Sequence, residues 1–509
     1  MKIKVQIFTW KKFHKYVGLV LTIFLLLFCI SGIILNHRSF FAPYSVSRSI
    51  LPEAYHIKNY NNGIIRGTIP YSDNQILAYG NAGIWLTDRE FKSFSSFNNG
   101  LPAGADLKTI RNIVQTKDGR IWCAAQFGIY SLEGNKWAEA YLPGNDERIT
   151  DIALTQDSCD IVALTRSAVY THTNQGFKRV ELQAPDNYSN RVSLFKTIWH
   201  LHSGDLFGTV GKVIVDFVAI VIIFLCISGI ILFIMPYSIK RSLKSSLKSK
   251  TGLLKWNFKW HDTIGYYTII LTVLIAVTGM CLRPPLMIPF VMMKSAPIPG
   301  STLDSKNVWH DKLRAIRWDD NARQWLVSTS DGFIYVNQDF ADKTQVINAV
   351  ATPQVSPMGI NVFESLGDNR WLIGSFSGLY IWNTVDGSIL DYFSDSPYVV
   401  STKGRPISNS LVTGFSKDLT GDDVVFDYTK GTNKPLPMPQ ILSDQPMSLW
   451  NFALELHVGR CYTPFLGPLS ELFVFLSGLI LTLVLVSGLI LHNRHKNKHN
   501  KSNHTNHTL

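Results

Sequence analysis

Apolar and polar positions follow two different periods along this chain. Residues 17–35, 217–235, 264–282 and 472–491 run nineteen or twenty residues without a charge, and as helices each is long enough to cross the hydrocarbon of a bilayer. Basic residues precede the first, but it is too long for a signal peptide and lacks a small-residue cleavage site, so it reads as a retained helix. Between the helices, roughly residues 40–200 and 290–455, apolar residues alternate with polar ones in short runs broken by turn residues, the strand pattern. NQILAYGNAGIW (residues 74–85), GRIWCAAQFGIY (119–130) and NRWLIGSFSGLY (369–380) align without gaps, and weaker copies cover 159–170 and 323–334. Starts 40 to 46 residues apart, with paired strands, match one propeller blade. The first polar segment holds three repeats and the second two, with a degenerate third at 408–428. Three blades cannot close a ring, and open edges are avoided. One six-bladed ring shared by both segments is the economical expectation; two separate β-rich caps are the alternative.

The helices also repeat. His14 is followed by Gly18 and Gly32, and His261 by Gly265 and Gly279, at the same spacings of four and eighteen, with a hydroxyl residue before the second glycine. Eighteen residues make five turns, about 27 Å, so each histidine and its far glycine share a face at opposite ends of a membrane-spanning rod. A glycine stripe on that face predicts flat space for a planar ligand. His202 and His457 begin a second matching pair, each with glycine two residues on and a carboxylate, Asp216 or Glu471, fourteen on. The chain is therefore a tandem duplication of helix, outside segment and helix, and same-direction repeats imply a pseudo-twofold axis along the membrane normal. The expected fold is membrane α plus β: a four-helix transmembrane bundle with a β-propeller-like domain built from two insertions. The expected order is an N-terminus with the first helix (1–40), a β segment (41–195), the second helix (196–236), a basic loop (237–260), the third helix (261–292), a β segment (293–450), the fourth helix (451–492) and a tail (493–509).

Composition agrees with a membrane protein, at 46% hydrophobic and 17% charged residues. Charge then sets orientation. Residues 1–16, 236–260 and 492–509 carry five, seven and four Lys/Arg and no acid, while the rest of the chain has 33 basic against 37 acidic residues. The positive-inside rule makes these three segments, and hence both termini, cytoplasmic. Basic patches so close to a membrane set topology and touch anionic lipid; they do not point to nucleic acid. Six cysteines give no zinc spacing. Cys29 and Cys226 read as small buried residues, and Cys123 with Cys159, or Cys281 with Cys461, are left open as pairs.

Topology sorts the histidines. His14, His261 and His492 fall at the cytoplasmic end, with His495 beyond; His37, His202 and His457 fall at the outer end, with His200 nearby. The duplication maps His14 on His261 and His202 on His457. Two symmetry-related imidazoles facing an axis suit an iron porphyrin, one pair near each face, and leave no open coordination position. Proton relay or structural packing is the competing use of the same residues. His492, His495, His499, His504 and His507 read as a solvated tail. Asp216 and Glu471 either orient a histidine, relay protons, or pair with Lys212 or another cation.

HKYVGLVLTIFLLLFCISGIILNH, LHSGDLFGTVGKVIVD, WHDTIGYYTIILTVLIAVTGMCLRPPL and LHVGR resemble the PepSY-associated transmembrane proteins of bacteria, the iron-regulated inner-membrane group that includes ferric-siderophore reductases. The resemblance covers about a third of the chain. It implies a multi-pass protein of the bacterial inner membrane holding b-type haem, two per chain, with ligands at His14, His261, His202 and His457. It also implies His37 as an additional or substitute ligand and Arg283 as a propionate partner. Electrons would come from quinol or a partner protein, since no flavin or nicotinamide fingerprint is present, and pass to a periplasmic acceptor such as a ferric chelate. Propeller-like repeats stand where family members usually carry PepSY modules. The alternative is a non-enzymatic sensor or assembly scaffold whose helices only anchor a propeller; homo-oligomer formation is left open.

Overall fold

The computed structural model describes residues 2–144, 148–186, 188–241, 244–356, 358–398 and 409–506. The chain divides into two compact units, one of Met1–Phe41, Asn190–Ser305 and Trp450–Leu509, the other of Ala42–Ser189 and Lys306–Leu449.

The first unit is helical: α1 (Lys2–Asn36), α2 (Leu194–Ser203), α3 (Gly208–Lys240), α4 (Lys244–Tyr267), α5 (Ile269–Cys281), α6 (Leu449–His457) and α7 (Ser470–Asn506), besides shorter turns. Among the described residues three helices are long and apolar enough to cross a membrane, and α4 with α5 makes a fourth if that pair, bent by 65°, counts as one span. The expected unbroken third helix is thus broken. The break falls at Thr268, between α4 and α5, whose hydroxyl donates to the Ile264 carbonyl at 2.7 Å; the matching stretch of α1 runs on.

α1 packs against α3 and α7, α5 against α7, and α4 against α3 and α7. Large apolar side chains such as Val20, Ile23, Ile220, Ile270 and Leu483 point outward, whereas Ser31, Ser228, Thr272, Thr278 and Ser487 are buried. That inside-out pattern belongs to lipid contact, where small and hydroxyl residues allow helices to approach closely. The chain is a membrane protein.

α2 and α6 are short because each meets a glycine in the left-handed region, Gly204 (φ 79°) and Gly459 (φ 84°). A Cβ at Gly204 would sit 2.3 Å from the Gly211 carbonyl oxygen. These are the glycines two residues after His202 and His457: they end the helix just past each histidine.

The second unit is a set of small antiparallel sheets. The first runs from strand Gly67–Pro70 to Phe94–Ser96, the second from Ile110–Gln115 to Lys136–Ala140, and the third from Ile149–Leu154 to Gly176–Val180. The fourth runs from Leu313–Asp319 to Gln345–Val346, the fifth from Val362–Gly367 to Ser396–Pro397, and the sixth from Val412–Ser416 to Gly431–Thr432. The first four have four strands each, the fifth five and the sixth three. The aligned repeats are the middle hairpins, such as Gln75–Gly80 with Gly83–Asp88 and Arg370–Ser375 with Gly378–Asn383. The degenerate repeat instead covers the first two strands of the sixth sheet, and Ser408, its first residue, lies outside the described residues. Each leading strand touches the next in chain order, and that of the sixth sheet touches that of the first. The core lies between neighbouring sheets, for example Leu77, Ile84, Ile113 and Cys123 between the first and second. Strands covered on both faces read as runs, with Ile161–Thr165 buried at every position.

All six cysteines are free thiols; Cys123 is buried and Cys159 exposed, so neither these two nor Cys281 and Cys461 are bonded.

Candidate functional site

Four of the hydroxyl–glycine dipeptides in the helices, Ser31-Gly32, Ser228-Gly229, Thr278-Gly279 and Ser487-Gly488, lie on α1, α3, α5 and α7, while a further one on α7, Ser477-Gly478, faces Met280 instead. Each of the four receives one histidine from another helix. Nδ1 of His14 (α1) lies 3.0 Å from Ser487 Oγ, and Nδ1 of His261 (α4) 2.7 Å from Ser228 Oγ. Nδ1 of His202 (α2) lies 3.1 Å from Thr278 Oγ1, and Nδ1 of His457 (α6) 3.0 Å from Ser31 Oγ. Every one of these hydroxyls donates its own hydrogen to a carbonyl of the preceding turn: Val484, Leu225, Leu274 and Leu27. The hydroxyl oxygen is left to accept, so the imidazole carries its hydrogen on Nδ1. His14 and His457 also reach the carbonyls of Val484 and Phe28, both at 3.0 Å, which accept only. In this tautomer the lone pair is on Nε2, the nitrogen free for a ligand. Hydroxyl support of this kind fixes ring orientation.

The glycine gives the ring its room. A Cβ at Gly32 would stand 3.3 Å from His457 Cε1, at Gly279 3.0 Å from His202 Cε1, at Gly488 3.1 Å from His14 Cε1, and at Gly229 3.7 Å from His261 Cε1. The expectation that the glycine stripe leaves flat space for a ligand is corrected: the far glycine of each rod holds an imidazole from a different helix. Asn257 steadies one seat by donating to the Ser228 carbonyl at 2.9 Å.

The four imidazoles form two pairs. His14 and His261 have ring centroids 6.2 Å apart with planes at 85°, and His202 and His457 6.1 Å apart with planes at 52°. An imidazole nitrogen sits about 2.0–2.1 Å from a transition metal, so two rings on opposite sides of one metal have centroids about 6 Å apart. The residues therefore fit a metal held between two rings, with any equatorial donors coming from the ligand's own ring. Among the described residues no group of three or more His, Cys, Asp or Glu is arranged to hold a metal ion. On α1 the site of His14 and the seat of His457 are seventeen residues apart, about 25 Å of helix. His202, on α2 outside the long apolar spans, is pushed down to about 4 by burial and by the adjacent His457, and burial lowers His457 too. Both rings are neutral at neutral pH, the form that ligates.

The remaining candidates lie around these pairs. His37 turns to Asp216, Nε2 to Oδ2 at 2.6 Å, with Asn36 donating to the other oxygen at 3.3 Å. Of the three roles open to Asp216, holding a histidine is the one observed; Lys212 pairs with Asp205 at 2.9 Å instead. Arg283 has a buried Nε without a hydrogen-bond partner among the described residues, and its charged form is disfavoured by burial and then by Arg460, against the pull of Glu471 and Glu455. Tyr462, edge-on to Phe24 and tilted against Phe473, has a buried hydroxyl in the same condition. A buried guanidinium nitrogen of this sort suits a carboxylate of a bound ligand.

The solvated-tail expectation is corrected for His492, which is half-buried against α4; α7 continues through His495, whose side chain is exposed. His492 Nδ1 lies 2.9 Å from Asp262 Oδ2 and its ring stacks on Tyr266 at 4.1 Å, while His495 meets Phe258 at 6.0 Å. The side chains of His499 and His504, and the whole of His507, lie outside the described residues. Sequence reasoning missed the hydroxyls as supports, although CISGII written twice, with VTGM and VSGL, was the signal.

Comparison with known proteins agrees with the helical unit. A search of curated proteins finds no match. Among solved structures, the extracellular domain of a one-component system from B. thetaiotaomicron is similar with a TM-score of 0.36 and 10% identity over 72% of this chain and 32% of that one. The extracellular domain of a hybrid two-component system from the same organism gives 0.35 and 10% over the same shares. This chain spans about a third of the length of those two, and likenesses this low carry no argument. The sequence profile of the PepSY-associated TM region matches residues 7–235 and 165–494. With both halves of the duplication matched, the chain belongs to the PepSY-associated TM region family.

Proposed function

We propose that this protein is a b-type dihaem cytochrome of the bacterial inner membrane that passes electrons to a periplasmic acceptor. The observation that carries the reading is the pair of imidazole pairs, each about 6 Å across with Nδ1 tied back to a supporting helix. Haem, when bound, supplies a one-electron couple without an open coordination position. The chain's own part is to hold four Nε2 lone pairs in place, keep the imidazoles neutral, and exclude water with small buried residues. Arg283 is assigned to a propionate; His37, held by Asp216, is assigned to the periphery, no longer to ligation.

The wider architecture belongs to the same proposal. Four crossings, with α4 and α5 as one bent span, form a four-helix bundle with both termini in the cytoplasm, following the basic segments. The six sheets form one six-bladed propeller on the periplasmic side, supported by the circuit of leading-strand contacts. The donor is quinol or a partner protein. The leading acceptor is a ferric chelate, whose iron(III) takes one electron per turnover.

The test is the visible spectrum of purified protein expressed with ample haem. Two low-spin bis-histidine haems per chain are expected, with His14→Ala or His261→Ala altering one and His202→Ala or His457→Ala the other. Absence of haem in the wild type, or four silent substitutions, would replace this reading with the anchored sensor or scaffold.

A further inference from the structure

The two imidazole pairs are mounted differently. His14 lies inside α1 and His261 inside α4, with helical turns on both sides of each. His202 is the penultimate residue of α2 and His457 the last of α6, helices of ten and nine residues. The last turn of a helix leaves its carbonyls without intrahelical partners and frays. An imidazole carried there needs something besides the helix to hold its backbone.

Each half of the chain places ionisable side chains at the same two offsets. Two residues before the histidine stands His200 or Glu455, each 9% exposed. Three residues after it, just past the left-handed Gly204 or Gly459, stands Asp205 or Arg460. In the second half the two close directly on each other. Arg460 Nε donates to Glu455 Oε2 at 2.8 Å and Arg460 Nη2 to Glu455 Oε1, a bidentate pair. In the first half His200 Nδ1 lies 3.8 Å from Asp205 Oδ2 and 3.4 Å from Thr302 Oγ1, whose own hydrogen goes to the Asp205 carbonyl at 2.8 Å. Asp205 Oδ1 also takes Lys212 Nζ at 2.9 Å, which fastens this junction to the first turns of α3. The order of charge is reversed between the halves, but the span is the same: a bridge from i−2 to i+3, closed over the histidine and the glycine behind it. Arg460 and Glu455 both act on Arg283, in opposite directions, so the second bridge lies beside the cation assigned to a propionate.

We infer that Glu455 and Arg460, with His200 and Asp205 as their counterparts, are positioning residues of the outer imidazole pair. Each bridge clamps a fraying helix end, so that Nε2 of His457 or His202 keeps its place. The inference rests on the dihaem reading and adds to it the residues that hold the outer ligands still.

The experiment uses the full-length, detergent-purified protein loaded with haem. Glu455→Gln and Arg460→Gln should each shift and broaden the electron paramagnetic resonance signal that His457→Ala alters, and leave the signal that His14→Ala alters as in the wild type. Each should also speed transfer of one haem to excess apomyoglobin about tenfold or more, the scale of a lost charge-assisted hydrogen bond. The double variant Glu455→Lys, Arg460→Glu takes the charge order of the first half and should bring both readouts back toward the wild type. Lys259→Gln, an exposed charge of α4, leaves them unchanged. Should one single variant fail to fold, the other and the double variant carry the test. A bridge serving general stability alone would lower the melting temperature and leave both resonance signals in place, which overturns the assignment. Equal disturbance of the inner and outer signals, or a double variant no better than the worse single one, overturns it too, while the haem reading stands. A wild type without haem overturns the haem reading, and this assignment with it.

Discussion

A hydroxyl and the glycine after it form a complete seat for an imidazole. The hydroxyl hydrogen goes to the helix's own carbonyl, the oxygen takes Nδ1–H, and the missing Cβ lets the ring lie close. Gly488 tests this, because its Cβ would stand 3.1 Å from His14 Cε1. Gly488→Val should push the inner ring off its seat and change one of the two haem signals, leaving the other. Ser487→Ala should do less, removing one hydrogen bond worth about 1 kcal/mol while the Val484 carbonyl still accepts from Nδ1. Absorption and electron paramagnetic resonance spectra of both variants check this; a wild-type spectrum in Gly488→Val would mean that the glycine supports no ligand. The histidine positions and this spacing were legible in the sequence. Which helix each glycine serves was not, because each histidine and its hydroxyl lie between 33 and 473 residues apart and only folding brings Gly32 to His457.

At the scale of elements, the spans were legible because twenty uncharged residues admit few readings, whereas the bend at Thr268 was not, because the stretch around it is as apolar and as free of charge as the unbroken helices. The tail was misread for a related reason: charge made it look solvated, yet α7 continues and His492 links it to α4 through Asp262 and Tyr266. His492→Ala should accordingly lower the melting temperature of the helical unit, by an amount corresponding to about 1 kcal/mol, and keep both haems. Loss of a haem would show instead that His492 bears on the inner pair. In the β unit, Asp151 is 4% exposed and accepts from Arg317 Nη1 at 2.6 Å and from the Ile316 N–H at 3.0 Å, tying the third sheet to the fourth. Asp151→Ala takes from a buried guanidinium its hydrogen-bonded carboxylate, leaving Glu364 as the remaining acid acting on it, and should cost about 3 kcal/mol, read by chemical unfolding. Adding Arg317→Met should recover much of that loss, and a single variant as stable as the wild type would mean the pair ties nothing.

At the scale of the whole molecule, five of the six sheets were legible as repeats because three middle hairpins keep a glycine and an aromatic at fixed offsets and two keep one of them, with Ala168 in place of the glycine and Ile334 in place of the aromatic. The sixth was only faint, since it has three strands and its repeat covers different ones. Yet the sixth sheet decides whether the two long insertions make one body. It reaches the first through Thr68, whose Oγ1 lies 2.6 Å from Ser416 Oγ and 2.6 Å from Asp418 Oδ2, and through the Phe415 N–H, which donates to the Arg66 carbonyl at 3.0 Å. Two hydroxyl oxygens that close put the Cβ atoms within reach of a disulfide. The double variant Thr68→Cys, Ser416→Cys, made with Cys159→Ser to remove the exposed thiol, should therefore cross-link under mild oxidation. With a protease site placed between Lys240 and Lys244, cleavage would then release two halves that stay together on a non-reducing gel and part on a reducing one. Each single-cysteine control should part in both. Because residue 68 belongs to the first insertion and residue 416 to the second, the cross-link forms only if the two insertions close on each other. Halves that separate without reductant would leave two β caps, each with open edges, and the six-bladed propeller would have to be given up.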